Sequence, residues 1–308
     1  MKHVLLSAAI LHFTAMPALA EPELRGEYET EFAVELDGGE TQKFEHILKP
    51  EFETRIGDDI RLFGQARFRF DLIDEMEPGQ PADEDTRAGF SRRAFLGENG
   101  EAELRELYID GYAGDLFYRL GKQQVVWGQA DGLRVLDIVN PFNFREFILP
   151  EFDDRRIPLW TANVEVPVSD WTAQFLWIPD QTYDQIPEVG AGAAYEFTST
   201  QLIPQAPAGT PVTLENPDRP DHFLADSDAG LRLTSFKGGW DLSLNYLYHY
   251  QDAQVLRRRF EGGRITVTPD YERTHLIGGT FSNAFGDYTL RGEIGYSTDR
   301  FFITNDPA

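Results

Sequence analysis

From Leu24 the apolar residues of this chain recur at every second position. Leu24, Tyr28, Phe32, Val34 and Leu36 share one parity, and Arg25, Glu27, Glu29, Glu31 and Glu35 take the other. Period two is the signature of an extended strand whose successive side chains point to opposite faces. The next run, 44–56, sets Phe44, Leu48, Phe52 and Ile56 against Glu45, Lys49, Glu51, Glu53 and Arg55. After the tight turn "GDD" at 57–59, a third run sets Ile60, Leu62, Ala66, Phe68, Phe70 and Leu72 against Arg61, Gln65, Arg67, Arg69 and Asp71. Further runs follow at about 103–113, 115–126, 158–167, 170–178, 228–237, 239–251, 271–284 and 287–298. Eleven strands are therefore predicted.

Taken alone, the first three strands also suit a soluble antiparallel sheet with one wet face. The connections separate the two readings. Short turns at 57–59, 113–115, 167–170, 237–239 and 285–287 alternate with long polar segments at 74–102, 127–157, 179–227 and 252–270, with a shorter one at 37–43. Strict alternation of short turns and long loops is the pattern of an outer-membrane barrel, with the turns periplasmic and the loops outside. The run "WDLSLNYLYHY" places Trp240, Leu242, Leu244, Tyr246, Tyr248 and Tyr250 on one face, aliphatic in the middle and aromatic at the ends, as a bilayer slab between two interfaces requires. The predicted fold is an all-β, antiparallel up-and-down transmembrane barrel over 21–308. Eleven strands leave an open edge, which is costly in lipid, so the sequence is expected to be a fragment that lacks its C-terminal strands.

Residues 1–20 read as a cleaved secretory signal, with basic Lys2 and His3, an apolar run from Val4 to Ala15 and the site Ala18-Leu19-Ala20. No apolar stretch of 18 or more residues follows, which excludes a helical span and leaves a barrel open. There is no cysteine, so disulfides and thiolate metal sites are excluded. Lys and Arg number 28 against 52 Asp and Glu, for a net charge of -24, which argues against nucleic acid as a partner. The chain carries no HExxH metal motif and no Gly-x-Ser-x-Gly elbow, and "GGRITVTPD" lacks a phosphate-loop lysine. His275 and Ser282 lie too far apart on one strand to act together. Neither an enzymatic role nor a cofactor is predicted.

The segment "NPFNFREFILPEFDDRR" at 140–156 fits no regular period. Its Phe142, Phe144, Phe147, Ile148, Leu149 and Phe152 would be poorly placed in water, so the loop 127–157 is expected to fold into the lumen. Arg134, Arg145, Glu146, Asp153, Asp154, Arg155 and Arg156 then become candidates for a constriction or a latch. The wall opposite would carry an acidic sector at Glu27, Glu29 and Glu31, a basic sector at Arg61, Arg67 and Arg69, and the carboxylates Glu106 and Asp110. Arg155 and Arg156 are expected to pair with Glu106 or Asp110, and the phenylalanines to anchor the loop on the wall between the third and sixth strands.

"RLGKQQVVWG", followed by "DIVNP" and then "DDRRIP", resembles the family called domain of unknown function 1302, porin-like barrels of Gram-negative outer membranes. The resemblance is concentrated in 105–160 and rests on Gly121, Gln124, Trp127, Gly128, Asn140 and Pro141. Gln129 and Ala130 stand where the family leads one to expect an acid and a small polar residue, so no role for that acid carries over. The resemblance implies an outer-membrane channel, with export or use of hydrophobic compounds as a theme. Outer-membrane lipid, the barrel assembly machinery and an unidentified small-molecule cargo are the partners expected. Read structurally instead, Gly128 only lets the strand break, Asn140-Pro141 sets a turn and Trp127 joins the outer aromatic girdle. A barrel whose acidic outer loops bind a partner or an envelope polymer is the alternative to a channel. Protease added to intact cells should cut within the Pro-rich segment 179–227, as read by the masses of the fragments. Cleavage confined to the "GDD" or "KGG" turns would invert this topology.

Overall fold

The computed structural model describes residues 20–73, 86–130, 134–146, 149–186, 209–216 and 219–301. Residues 1–19 of the predicted signal, the acidic stretch 74–85, Phe147 with Ile148, and residues 187–208 and 217–218 of the Pro-rich segment 179–227 lie outside the described residues.

The strands are β1 (Glu23–Val34), β2 (Thr41–Ile56), β3 (Ile60–Asp71), β4 (Ala94–Phe95), β5 (Gly100–Ala113) and β6 (Leu116–Gln123). A one-turn helix α1 (Phe152–Arg155) precedes β7 (Leu159–Val168), β8 (Trp171–Ile178), β9 (Val212–Leu214), β10 (Asp228–Lys237) and β11 (Trp240–Tyr250). The chain continues through β12 (Val255–Glu261), β13 (Arg264–Asp270), β14 (Arg273–Phe285) and β15 (Tyr288–Ser297). Eleven long strands form one sheet in the order β1-β2-β3-β5-β6-β7-β8-β10-β11-β14-β15, with β4 added to β5. All its pairings are antiparallel, and each of the ten long strands after β1 lies beside the long strand before it in sequence. The architecture is therefore all-β and up-and-down. The sheet is not closed: β1 and β15 are its edges.

The eleven predicted strands are these eleven. Of the five predicted short turns, four place a glycine at positive φ and one uses Ser169 at φ 58, which tight hairpins of twisted strands require. The segment 252–270 departs from its reading as a plain connector. It contains the β12–β13 hairpin, to which β9 adds in parallel. Its alternation runs between arginine or threonine and apolar residues, so as a whole it reads as polar. The Gly262-Gly263 tip and the β-branched residues of "RITVT" nonetheless suit a hairpin.

The distribution of side chains across the sheet is inverted relative to a water-soluble protein. On β11 the residues Leu244, Tyr246 and Tyr248 face out, Leu244 at 57% exposure, whereas Ser243, Asn245, Leu247 and His249 are buried. On β15, Ile294 is 74% exposed. At the other end of the sheet Lys43, Glu45, Arg67, Arg69, Glu101 and Glu103 are buried, with Glu45 at 0%. A continuous exposed apolar face with the charges behind it is what a lipid-facing wall requires.

Two irregularities set which residues point inward. Opposite β3 the register shifts between Gln65 and Ala66, which pair with Glu106 and Leu104 and leave Arg105 bulged out of the ladder. A bulge breaks strict alternation, so Glu101, Glu103 and Arg105 and then Glu106, Tyr108 and Asp110 can all turn to one face. On β6, Gly121 adopts φ +135, and a Cβ there would lie 2.2 Å from the Leu107 carbonyl oxygen. Arg119 reaches inward to Asp110 before this point, and Lys122 is buried inward just after it. Gly121→Ala should therefore cost on the order of 1–3 kcal/mol through backbone strain and the clash, read as a lower urea midpoint of the folded chain in lipid vesicles. An unchanged midpoint would show that the strand absorbs the side chain.

Candidate functional site

Between β6 and β7 the chain runs across the inner face of the sheet, from β15 at one edge to β2 near the other. The first half of this crossing is apolar. Val125, Trp127, Leu136 and Val139 form one buried cluster with Leu159 of β7, Leu176 and Ile178 of β8, Leu247 of β11 and Leu276 of β14. Trp127 is 0% exposed, and its indole N-H donates to the Gln174 side-chain oxygen at 2.8 Å. Room for it exists because β10 carries Gly230, where a Cβ would lie 2.8 Å from the indole ring. Leu136 is similarly admitted by Gly278 of β14, where a Cβ would come within 2.4 Å of it. Gln129 N-H donates to Glu293 of β15 at 2.8 Å. Burying side chains of this size contributes about 1.5–3 kcal/mol each, so this half is the anchor.

The second half is charged and meets the wall of β2, β3 and β5. Glu146 accepts from Lys43 at 2.9 Å and from Arg69 at 3.1 Å. Asp154 pairs with Lys49 at 2.9 Å, and its carbonyl accepts from Arg67. Arg145 stands 3.8 Å from Glu101. Arg105 donates to the carbonyls of Asp153 and Arg156 at 2.8 and 2.7 Å. The wall charges are also paired among themselves: Arg69 with Glu45 at 2.5 Å, Arg67 and Arg87 with Glu103 at 2.6 and 2.7 Å, and Arg93 with Glu101 at 2.6 Å. Glu31, Glu45 and Glu146 converge tightly enough to suit a cation, and the ammonium of Lys43 supplies it.

The predicted partners of Arg155 and Arg156 are not the observed ones. Arg156 pairs with Asp137 at 2.7 Å and with Asp153 at 2.5 Å. Arg155 lies over the Phe152 ring at 4.5 Å. Asp110 is taken by Arg61 at 2.6 Å and Arg119 at 2.9 Å, and Glu106 accepts the Gln124 N-H at 3.2 Å. The wall carboxylates are occupied by nearer cations, and the turn at 134–140 brings Asp137 closer. The phenylalanines also pack differently. Phe142 is fully buried against Phe144 and Phe152, with the guanidinium of Arg134 3.7 Å from its ring centre. They form a small core inside the segment, while Trp127 and Leu136 hold the wall. Of the acidic sector, Glu27 and Glu29 reach Lys49 at 3.8 and 3.5 Å, and Glu31 reaches Lys43.

Five of the six motif residues act on this crossing, and the sixth, Gly121, shapes β6 just before it. Asn140 fastens both ends of it: its side-chain oxygen accepts from Val125 N-H at 2.7 Å, and its amide donates to the Ile157 carbonyl at 2.9 Å. The Pro141 carbonyl accepts from Ile157 N-H at 2.8 Å. Gln124 donates to the Asp153 carbonyl. Gly128 lies against Asp137, where a Cβ would be 2.8 Å from its backbone nitrogen. Trp127 therefore sits inside and not in an outer girdle.

Sequence reasoning missed Lys43, Glu101, Glu103, Arg105, Asp137 and Asp184. Lys43 fell within the connector 37–43, and Glu101 and Glu103 were visible in the alternation of "GEAELRE". Asp184 accepts the Phe142 N-H at 2.6 Å and belongs to the stretch 183–185 that clamps the crossing, where the Gln185 carbonyl accepts from Phe144 N-H at 2.7 Å. A cavity of about 190 Å³ remains between the crossing and β1–β3, lined by Glu29, Glu31, Lys49, Arg67, Arg69, Arg145, Glu146, Glu151, Asp154 and Arg155 among others. Five acids and five bases share it.

An up-and-down antiparallel sheet, apolar outside and charged inside, with a connection laid across its inner face, defines a porin-like class of fold. The chain belongs to the family described as protein of unknown function DUF1302, whose model matches residues 59–308. Among solved structures it is similar to Pseudomonas aeruginosa OpdK with vanillate, at 11% identity over 89% of this chain and 68% of that one, with a TM-score of 0.37. An improved crystal structure of the same protein, OccK1 (OpdK), gives 11% identity over 90% and 68%, with a TM-score of 0.36. No curated protein matches the sequence.

Asp184 and Asp252 add a pH dependence. The backbone N-H of Asp184 donates to the Asp252 carbonyl, and Arg134 stands 3.7 Å from the Asp252 carboxylate. Burial raises the pKa of both carboxyls; the charge of Asp184 raises that of Asp252 further, against the opposing pull of Arg134. An acid whose folded pKa is raised stabilises the fold fully below its unfolded value and loses that contribution as pH rises through the folded value. Asp252→Asn should therefore raise the melting temperature at pH 7, with the gain shrinking as the pH is lowered into the ordinary carboxylate range. A gain independent of pH, or a loss at pH 7, would contradict this account.

Proposed function

We propose that this protein is a Gram-negative outer-membrane channel for passive passage of small organic solutes, narrowed by residues 127–157 lying in its lumen. The observation that carries the reading is the crossing itself. A segment fastened at both ends by Asn140 and held at one sheet edge through Gln129 and Glu293 runs to β2 at the other side of the sheet. It leaves an open cavity and not a sealed core. The exposed apolar face meets outer-membrane lipid, the predicted signal directs export, and insertion depends on the barrel assembly machinery. No reaction is assigned to the charged groups, because they are paired with each other.

The cavity favours a class of solute. Opposed charges at close quarters create a field across the passage, which orients dipolar or zwitterionic molecules. The apolar stretch around Val125, Trp127 and Leu136 on the same crossing suits solutes with an apolar part as well. Amphipathic compounds meet both conditions.

Replacing 140–156 by a short Gly-Ser linker tests this directly. In the complete protein the variant is expected to leave the barrel folded and to conduct several-fold more current per channel in a planar bilayer. Unchanged conductance would mean that the crossing does not limit the passage, and an absence of discrete channels in both proteins would overturn the channel reading.

A further inference from the structure

Residues 221–227 turn tightly just before β10, on the side of the sheet away from the crossing. Phe223 of this turn packs edge-on against Trp177 of β8, whose ring belongs to the exposed apolar face. The turn is closed twice: Asp226 N-H donates to the His222 carbonyl at 2.9 Å, and His222 N-H donates to Oδ2 of Asp226 at 2.8 Å. Both flanks are held as well. Arg219 donates to the Gln181 carbonyl, while Arg273 of β14 donates to the Ser227 carbonyl at 3.0 Å and pairs with Asp228 at 2.7 Å.

This backbone gathers three side chains of the kinds that ligate metal ions. Nδ1 of His222 lies 3.3 Å from Oδ1 of Asp221 and 3.2 Å from Oδ2 of Asp226, and one ligand atom from each of the three residues falls within 4.8 Å of the others. Hydrogen bonding does not account for the spacing. Nδ1 carries at most one proton for two carboxylates, and both separations exceed the roughly 2.7–2.9 Å of a charge-assisted N-H···O bond. A tetrahedral zinc ion with bonds of about 2.0–2.2 Å sets neighbouring ligand atoms roughly 3.3–3.5 Å apart. The observed separations meet that geometry within the tolerance of about 0.2 Å that a metal site allows.

The Asp226 carboxylate is also fixed from outside the cluster. Its Oδ1 accepts the Tyr250 hydroxyl at 2.9 Å, and the Tyr250 ring is covered by the Arg273 guanidinium 3.8 Å from its centre. Ligating carboxylates need such outer partners to hold their orientation. Desolvation works against the charge, but the His222 N-H, the Tyr250 hydroxyl and the His222 ring outweigh it and lower the Asp226 pKa, which keeps this ligand ionised. An imidazole nitrogen beside two carboxylates selects a first-row divalent ion over magnesium or calcium, which take oxygen ligands in larger number. Three protein ligands leave the fourth tetrahedral position to water. We infer that Asp221, His222 and Asp226 form a zinc-type metal site at the entry to β10, with Tyr250 as the positioning residue of Asp226. The site lies on the face opposite the crossing, so it stands independently of the channel reading.

The test uses the full chain in detergent micelles, purified without a histidine tag, stripped of metal with a chelator and titrated calorimetrically with zinc chloride, magnesium chloride and calcium chloride. Zinc is expected to bind at least tenfold tighter than either hard cation and to raise the melting temperature, because an ion bound only by the folded chain stabilises it. His222→Gln and Asp221→Asn change exposed side chains, so each should melt like the parent without metal and bind zinc at least tenfold more weakly. Tyr250→Phe keeps the ring beneath Arg273 and should weaken zinc on the order of tenfold. His275→Gln, at another exposed histidine, should bind as the parent does. Should His222→Gln melt lower without metal, Asp221→Asn decides. Absence of zinc binding by the parent, parent-like binding by Asp221→Asn or by a normally folded His222→Gln, calcium or magnesium bound as tightly as zinc, or an equal loss in His275→Gln would each overturn the inference. A protein that forms channels but binds no zinc defeats the metal site alone.

Discussion

Buried charge is the constraint on which this structure depends. A sheet that shows its apolar side to its surroundings must turn its ionised side chains inward, and an unpaired inward charge is too costly to keep. On β2, β3 and β5 the wall pairs cover part of that need, as Arg69 with Glu45 and Arg67 with Glu103 show. They do not cover all of it. Glu146 and Asp154 of the crossing complete the coordination of Lys43, Arg69 and Lys49, and its backbone carbonyls complete that of Arg105. The connection between β6 and β7 is thus part of the wall's electrostatics.

The same constraint explains why alternation is broken where it is. A regular β5 would put either Glu103 and Arg105 or Glu106 and Asp110 on the inner face. The bulge at Arg105 admits both sets, which gives Arg61 and Arg119 their shared acid while Glu103 still serves Arg67 and Arg87. Gly121 performs the second break on β6, one strand further along, and the chain leaves the sheet three residues later. The family motif then follows as a single device: Gly121 aims the exit, Trp127 fills the space left by Gly230, and Asn140 ties the exit to the return at Ile157.

Legibility in the sequence followed physical range. The eleven strands could be read because period two is a local property, and β11 in particular announces its lipid-facing side in eleven residues. The inward loop was expected because its aromatics had nowhere else to go. What could not be read was the choice among equivalent partners. Arg156 meets Asp137 across nineteen residues of chain only because the turn at 134–140 closes on itself through Arg134. Bulges were hidden for a related reason: Arg105 and Glu106 are both polar, so no apolar residue marks the shift. The β12–β13 hairpin was hidden by composition, since arginine and threonine occupy positions where a strand usually shows its hydrophobic face.

The crossing is held in two different ways, and the difference bears on what it can do. Its apolar half rests on packing against Leu159, Leu176, Leu247 and Leu276, a contact that weakens little with salt and that tolerates no water. The charged half rests on ion pairs beside an open cavity, each worth up to about 1 kcal/mol where water reaches them. On the channel reading, a solute with its own charges would compete with those pairs on similar terms, but would gain much less by displacing Trp127 or Leu136. In the channel proposed above, selection is concentrated on the β1–β3 side, where Lys49, Arg69, Glu146 and Asp154 line the cavity and would exchange one another for a passing dipole. The opposite side keeps the segment in place while they do so.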